Sequence, residues 1–468
     1  MSLKNTVKIE VAEIERSGKS IVIPEEMTTE SAIKVLTQKL REEETTIEVN
    51  DFIEGFFLEI AAAFSTAMER LFGFSIAAPT PGFFEDMPPQ RVSLETAPGV
   101  RKTIAIGIFK LPTLNGTVQI NIGMRRKKPG AAILATIKKK DEGKFNELCE
   151  LTRRILTDES IYIGKAVKFR IFDDATGKRL PFPEPQFLDL SGVNDRELIF
   201  SHEVENAIST SIFTPIEKTD ACRKAHIPLK RGILLSGKYG TGKTLATYVT
   251  AAKCIQNGWT FLYCEKANEL AEMVQIARCY QPCVIFCEDI DRVVSGERSV
   301  SMDDILNTID GIESKKCEIM IILTTNHLEN INPAMLRPGR LDAIINVLPP
   351  DAEAVERLLR LYGRGLIPEN TNLKNVSERL AGQIPAVIRE CVERAKLAAI
   401  KLSGGTLTLN QEALEDASDG MNNQLELLNR KSQALSDVQR IEKLVGQAFS
   451  EKLQLEEKNQ AVTRSNGH

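Results

Sequence analysis

Apolar and polar positions alternate along 103–109 and 117–123, as a half-buried strand requires, and 131–137 is a continuous apolar run of buried-strand type. Upstream, 50–73 reads as a helical run, apolar from Phe56 to Met68 except at Glu59, and Pro79-Thr80-Pro81-Gly82 breaks it. A helix is predicted over 145–156 and a further strand over 166–172. Leu180-Pro181-Phe182-Pro183-Glu184-Pro185 is stiff and proline-rich, and is expected to be a linker. From about 187 to 348 strands and helices alternate as in a parallel α/β sheet, and 350–420 reads as helices throughout. Beyond that, 425–455 is polar with Leu428, Leu435, Val438, Ile441, Val445 and Phe449 at spacings that suit one amphipathic helix or a short coiled coil. It could serve oligomerisation or a partner, or pack as an accessory helix. No internal repeat is visible. The pattern divides the chain into an α/β region over 1–185, a second α/β region over 186–349, helices over 350–420 and a tail over 421–468.

Composition narrows the class. With 468 residues, 42% hydrophobic and 26% charged, the chain can bury several cores, and its net charge of −4 argues against a global attraction to nucleic acid or membrane. Nine scattered cysteines, many inside apolar runs, suit reduced buried thiols and a cytoplasmic location better than a disulfide framework. Four histidines, none beside a Cys-x-x-Cys pair, argue against a zinc site. No signal-peptide pattern opens the chain, and the 56–68 run is too short to span a bilayer.

The chemistry concentrates at Gly237-Lys238-Tyr239-Gly240-Thr241-Gly242-Lys243-Thr244, which fits G-x-x-x-x-G-K-[ST]. The apolar strand 232–236 precedes it and a helix from Thr244 follows, so backbone N–H groups and a positive helix end would face phosphates. Lys243 would reach the β- and γ-phosphates of a nucleoside triphosphate, and the Thr244 hydroxyl would hold Mg²⁺. Cys283-Val284-Ile285-Phe286-Cys287 is an apolar strand ending in Glu288 and Asp289, a pair able to orient Mg²⁺ and polarise an attacking water. Strand 318–323 ends in Thr324-Thr325-Asn326, whose amide could position that water or could simply close a turn. Leu336-Arg337-Pro338-Gly339-Arg340-Leu341-Asp342 carries two arginines on a rigid turn. They could be surface charges, or could stabilise γ-phosphate charge on a neighbouring subunit in a closed ring.

This order of motifs resembles the AAA ATPases of the AAA+ superfamily over about 187–418. Pro228-Leu229-Lys230-Arg231-Gly232-Ile233-Leu234-Leu235 before the loop and Asp310-Gly311 before the Asn326 strand match as well. The resemblance implies an AAA+ P-loop NTPase parallel sheet with a C-terminal helical lid, preceded by a separate α/β N-terminal domain. It implies hexamers with ATP and Mg²⁺ at each subunit interface. It assigns Walker A to 237–244, with Leu245 alongside, Walker B to Glu288 and Asp289, sensor 1 to Asn326, and arginine fingers acting in trans to Arg337 and Arg340. Gly192, within Leu190-Ser191-Gly192-Val193, falls where the family contacts adenine. Ala386, within Gly382-Gln383-Ile384-Pro385-Ala386, falls at the adenine- and ribose-facing turn of the lid.

Three departures qualify the likeness. Lys238-Tyr239 replaces the usual Pro-Pro and alters the loop's rim. Glu288 stands where the family has the Mg²⁺-site Asp, and the shorter Asp289 stands where it has the catalytic Glu, so slow turnover is in view. The family's aromatic pore loop is missing, because Cys264-Glu265-Lys266-Ala267-Asn268-Glu269-Leu270 has no aromatic residue. The last two features resemble the AAA branch of the mitochondrial Rieske-protein translocase, though without its transmembrane helix.

The resulting expectation is a soluble ring-forming ATPase that remodels a macromolecular substrate, with protein expected ahead of nucleic acid, chosen by 1–185. A nucleic-acid-remodelling ATPase is the first alternative, suggested by Arg125-Arg126-Lys127-Lys128 and Lys138-Lys139-Lys140, although solvated turns that guard strand edges explain those lysines more simply. A nucleotide-gated structural ring with slow hydrolysis is the second. Arg389 could act as a lid sensor or be an ordinary surface residue.

Overall fold

A computed structural model describes residues 27–80, 86–125, 128–173, 175–290, 317–331, 341–402 and 408–424. The first elements are α1 (Thr29–Glu43), β1 (Thr46–Glu54), α2 (Phe57–Phe72), β2 (Ile76–Ala78), β3 (Gln90–Ala97), β4 (Val100–Ile106), β5 (Ile108–Lys110), β6 (Gly116–Arg125), β7 (Lys128–Lys138) and α3 (Glu142–Asp158). Then come β8 (Ala166–Phe172), β9 (Arg179–Phe187), α4 (His202–Ile208), α5 (Thr214–Glu217), α6 (Thr219–Lys224), β10 (Arg231–Ser236), α7 (Lys243–Gln256), β11 (Thr260–Cys264), α8 (Leu270–Ala277), β12 (Cys283–Cys287), β13 (Ile319–Thr325) and β14 (Ala343–Asn346). The helices α9 (Ala352–Gly363), α10 (Lys374–Leu380) and α11 (Pro385–Leu402) follow. Two compact units emerge. One holds Met1–Val193, Ser211–Leu234 and Thr247–Ile344; the other holds Asn194–Thr210, Leu235–Ala246 and Ile345–His468.

In the first unit β1-β7-β6-β5-β2 form a five-stranded sheet, antiparallel at each pairing, and the buried face of α2 packs over it. Alternation in β6 buries Val118 and Ile120. A second sheet runs β14-β10-β13-β12-β11-β8-β9, in which β13 with β12, β12 with β11 and β11 with β8 pair in parallel. β12 and β13 are buried at every position, as a sheet covered on both faces requires. One continuous core joins the two sheets from Ile53 to Leu341. At its centre Phe56 stacks edge-on against Phe169 at 5.0 Å, and Tyr162 against Tyr280 at 6.0 Å.

Three sequence expectations change here. Residues 50–54 belong to strand β1 rather than to a helix, because Asn50 to Glu54 pair residue by residue with β7 and Gly55 then turns the chain. The alternation over 103–109 is two strands: the chain changes partner at Gly107, so β4 pairs with β3 and β5 with β6. The proline-rich segment is not a linker but lies within β9, antiparallel to β8. Its prolines occupy alternate positions, so their missing N–H groups fall along one edge, and β9 is the last strand of its sheet. The sheet that carries the nucleotide motifs therefore takes two strands from before residue 188, and no break in it coincides with the division expected near 185.

In the second unit α9, α10 and α11 enclose a separate core built on Leu358, Leu380 and Ile388. Arg389 stacks over the Tyr362 ring at 4.8 Å. The amphipathic segment 425–455 lies outside the described residues. Among the described residues no helix is long and apolar enough to cross a membrane, and all nine cysteines are free.

Candidate functional site

The phosphate loop belongs to the second unit and its shape follows from three contacts. A Cβ on Gly237 would lie 2.4 Å from the Val347 carbonyl oxygen, so no side chain fits there. Gly242 has φ of 102°, a conformation that side chains resist, and a Cβ there would meet the Phe200 ring at 3.1 Å. Phe200 is itself clamped: its N–H donates to Glu205 Oε1 at 3.0 Å and its carbonyl accepts from Arg357, which also pairs with Glu205 at 2.7 Å. Lys243 is buried and donates from Nζ to the carbonyls of Gly237 and Lys238, at 2.5 and 2.9 Å. Thr241 donates to the same Lys238 carbonyl at 2.9 Å. Lys243 opens α7, so the amides of the loop and of the first helical turn are grouped for an anion. Lys238, Tyr239 and Thr244 are exposed, and Leu245 is half-buried. Ile384 packs on Gly240, and Ala386 lies in the first turn of α11 with its side chain exposed.

The acidic residues belong to the first unit. Glu288 and Asp289 follow β12, and Asn326 follows β13, its parallel neighbour. Asn326 Nδ2 donates to Asp289 Oδ1 at 2.8 Å, and the Asp289 N–H donates to Thr324 Oγ1 at 2.9 Å. Asp289 has φ of 47°, an uncommon left-handed conformation for a residue other than glycine. Glu288 takes one hydrogen bond on each oxygen, from Thr247 Oγ1 at 3.2 Å and from Tyr263 Oη at 3.1 Å. Burial, and then the adjacent Glu288 charge, push the Tyr263 phenol up, so it is a donor throughout the ordinary pH range.

Gly192 also lies in the first unit, in a turn closed by the Val193 N–H on the Leu190 carbonyl, with φ of 86°. The structure thus brings Glu288, Asp289 and Asn326 together in one unit and 237–245 together with Ala386 in the other. Arg337 and Arg340 lie outside the described residues. Sequence reasoning missed Tyr263, Thr247, Thr324 and Phe200. Thr247 stands one helical turn after Thr244 and carried that signal; Tyr263 is legible only once the register of β11 on β12 is known.

Among the described residues no group of three His, Cys, Asp or Glu side chains could hold a metal. The Glu288 carboxylate of the first unit and the Thr244 hydroxyl of the second are hard oxygens, the donor type that Mg²⁺ takes.

The segment 264–270 is a strand end, a 3₁₀ turn (Ala267–Glu269) and the start of α8, with Cys264, Ala267, Glu269 and Leu270 buried. It presents no aromatic side chain to solvent. Of the basic tips, Lys138 donates to the Glu44 carbonyl, Lys139 pairs with Glu42 and Lys140 pairs with the Glu44 side chain, so α1 engages this lysine triplet. Arg126 and Lys127 lie outside the described residues.

Residues 233–348 match the family described as ATPase family associated with various cellular activities (AAA). The 26S proteasome regulatory subunit 8 homolog of Schizosaccharomyces pombe is 31% identical over 214 residues, 42% of this chain and 53% of that protein. The Cell division cycle protein 48 homolog of Archaeoglobus fulgidus is 31% identical over 207 residues, 40% of this chain and 28% of its own length. The ATP-dependent zinc metalloprotease FtsH 2 of Sphaerobacter thermophilus is 27% identical over 287 residues, 57% of this chain and 43% of that protein. The chain spans about half, or less, of the length of these relatives.

Proposed function

We propose that this chain, an AAA ATPase of the AAA+ superfamily by the domain at its centre, hydrolyses ATP as a ring of identical subunits and uses the cycle to remodel a protein. The observation that carries the reading is the Asn326–Asp289 hydrogen bond. It ties the amide after one strand to the carboxylate after the next, the relation needed to hold a water for attack on a γ-phosphate. In this reading the loop amides and Lys243 bind and orient the triphosphate. Asp289 orients the water and takes up its proton as the bond from γ-phosphorus to the β–γ bridging oxygen breaks, giving ADP and phosphate. Thr244 and Glu288 would hold Mg²⁺, which supplies charge neutralisation on the phosphates. Arg337 and Arg340 are assigned on their motif alone, as the groups a neighbouring subunit contributes to the same phosphates. Gly192 and Ala386 are assigned to the base on their motif positions alone. Two of the relatives, a proteasome regulatory subunit and a metalloprotease, favour protein over nucleic acid as the substrate, as do the net charge of −4 and the pairing of Lys138, Lys139 and Lys140 with α1 and its C-terminal cap.

A second reading, a nucleotide-gated ring with slow hydrolysis, is favoured by one observation: 264–270 has no aromatic side chain, so it offers no ring to grip a threaded chain. One experiment separates them. ATP turnover and light-scattering mass are measured for the whole chain and for Lys243→Ala. Turnover lost in the variant supports the first reading. ATP-dependent assembly with no measurable turnover supports the second, and turnover that survives Lys243→Ala overturns both.

A further inference from the structure

Glu288 carries one methylene more than an aspartate, and the extra rotatable bond leaves its carboxylate free to swing unless something holds it. Two neutral donors do. Tyr263 stands on β11 opposite Phe286 in the register with β12, two residues short of Glu288, and reaches up the sheet to Oε2 at 3.1 Å. Thr247, buried on α7 one turn beyond Thr244, closes on Oε1 at 3.2 Å. Among the described residues no lysine or arginine pairs with Glu288. These two donors therefore orient its charge without neutralising it, which suits a carboxylate kept for a cation. Each oxygen spends one lone pair on its neutral donor and keeps another.

We propose that Tyr263 and Thr247 are positioning residues that fix the Glu288 carboxylate for the Mg²⁺ accompanying the nucleotide. The proposal rests on the ATPase reading above. Both residues act through Glu288 and neither touches the ion. An aspartate at 288 would fall short of the phenol by roughly one carbon–carbon bond, so Tyr263 and the glutamate form a matched pair.

The test uses the whole chain with ADP and Mn²⁺ as a paramagnetic stand-in for Mg²⁺. Mn²⁺ affinity is read by electron paramagnetic resonance, nucleotide affinity is read separately in chelator, and thermal melting is followed in parallel. Tyr263→Phe and Thr247→Val each remove one donor at nearly constant shape. Each is expected to weaken Mn²⁺ binding by about 10-fold, the loss typical when a partner of a metal ligand is removed, with nucleotide affinity in chelator unchanged. In the Glu288→Asp background Tyr263→Phe is expected to add nothing, because the hydroxyl has no carboxylate to hold. If both single variants bind Mn²⁺ as the unaltered chain does, the proposal is overturned. If Tyr263→Phe alters folding as well, Thr247→Val decides. An unaltered chain that binds no ADP would overturn the ATPase reading itself, a result distinct from normal Mn²⁺–ADP binding in the variants.

Discussion

Tyr280 donates its phenolic hydrogen to Glu59 at 2.7 Å, across 221 residues of chain. Glu59 lies on α2, the most deeply buried helix of the N-terminal sheet, and also accepts from Ser160 Oγ at 2.7 Å and the Ile161 N–H at 2.6 Å. Tyr280 stands three residues before β12. Burial raises the Glu59 carboxyl above its ordinary range, while these three donors work in the opposite direction. Removing one of them leaves a buried carboxyl oxygen with nothing to replace it. Tyr280→Phe is expected to lower stability by about 1–3 kcal/mol, read as a shift in the urea midpoint. A change within roughly 0.5 kcal/mol, the range of an ordinary surface substitution, would mean the bond contributes nothing.

Asn326→Ala removes the amide that donates to Asp289. ATP turnover is expected to fall about 100-fold through misplacement of the carboxylate, while ADP affinity, measured by calorimetry, stays within a factor of about two. An equal loss in both quantities would place Asn326 in binding rather than in the chemical step.

Gly242→Ala confronts both a φ of 102° and the Phe200 ring. The strain is on the order of 1–3 kcal/mol, so ATP affinity should fall about 5- to 150-fold. Adding Phe200→Leu makes room but does not relieve the backbone, and is expected to restore little. Full recovery in the double variant would show that the ring contact alone is responsible.

Glu269 gives the chain a pH dependence of stability. Burial, the largest cause, pushes its carboxyl up to about 7, with Lys266 and Lys168 opposing and Glu265 and Glu272 adding to the rise. The folded state thus binds a proton more tightly than the unfolded state does. Its contribution is complete below about pH 4.5 and is lost as pH rises toward about 7. With solvent screening from the exposed Glu265 and Lys266 allowed for, the loss is on the order of 1–2 kcal/mol. Glu269→Gln should flatten this slope between pH 5 and pH 8, as read from thermal melts across that range.

The parts legible in the sequence are those whose geometry is local. A loop such as 237–244 encodes its own turn, its lysine and its following helix within a few residues, and the apolar runs of β12 and β13 announce a covered sheet. Asp289 and Asn326 could be nominated because each sits at the end of such a run. Their hydrogen bond, and those of Tyr263 and Thr247 to Glu288, depend on strand register and helix placement that periodicity does not carry. The proline-rich strand β9 was misleading for a related reason. Proline reads as a breaker until it is known that every missing N–H points off the sheet. Gly55 and Gly107 likewise mark turns whose partners lie far along the chain.

Strands β8 and β9 have a mechanical consequence. They bind N-terminal sequence into the sheet that ends in Glu288 and Asn326, and the same hydrophobic core fills the space beneath both sheets. Among the described residues of this unit, buried side chains rather than a polar linker join the two sheets. A displacement at the strand ends would be carried to β1–β7 through that shared core, as through a single plate. A chimera cut at the edge of the nucleotide motifs would saw through that plate.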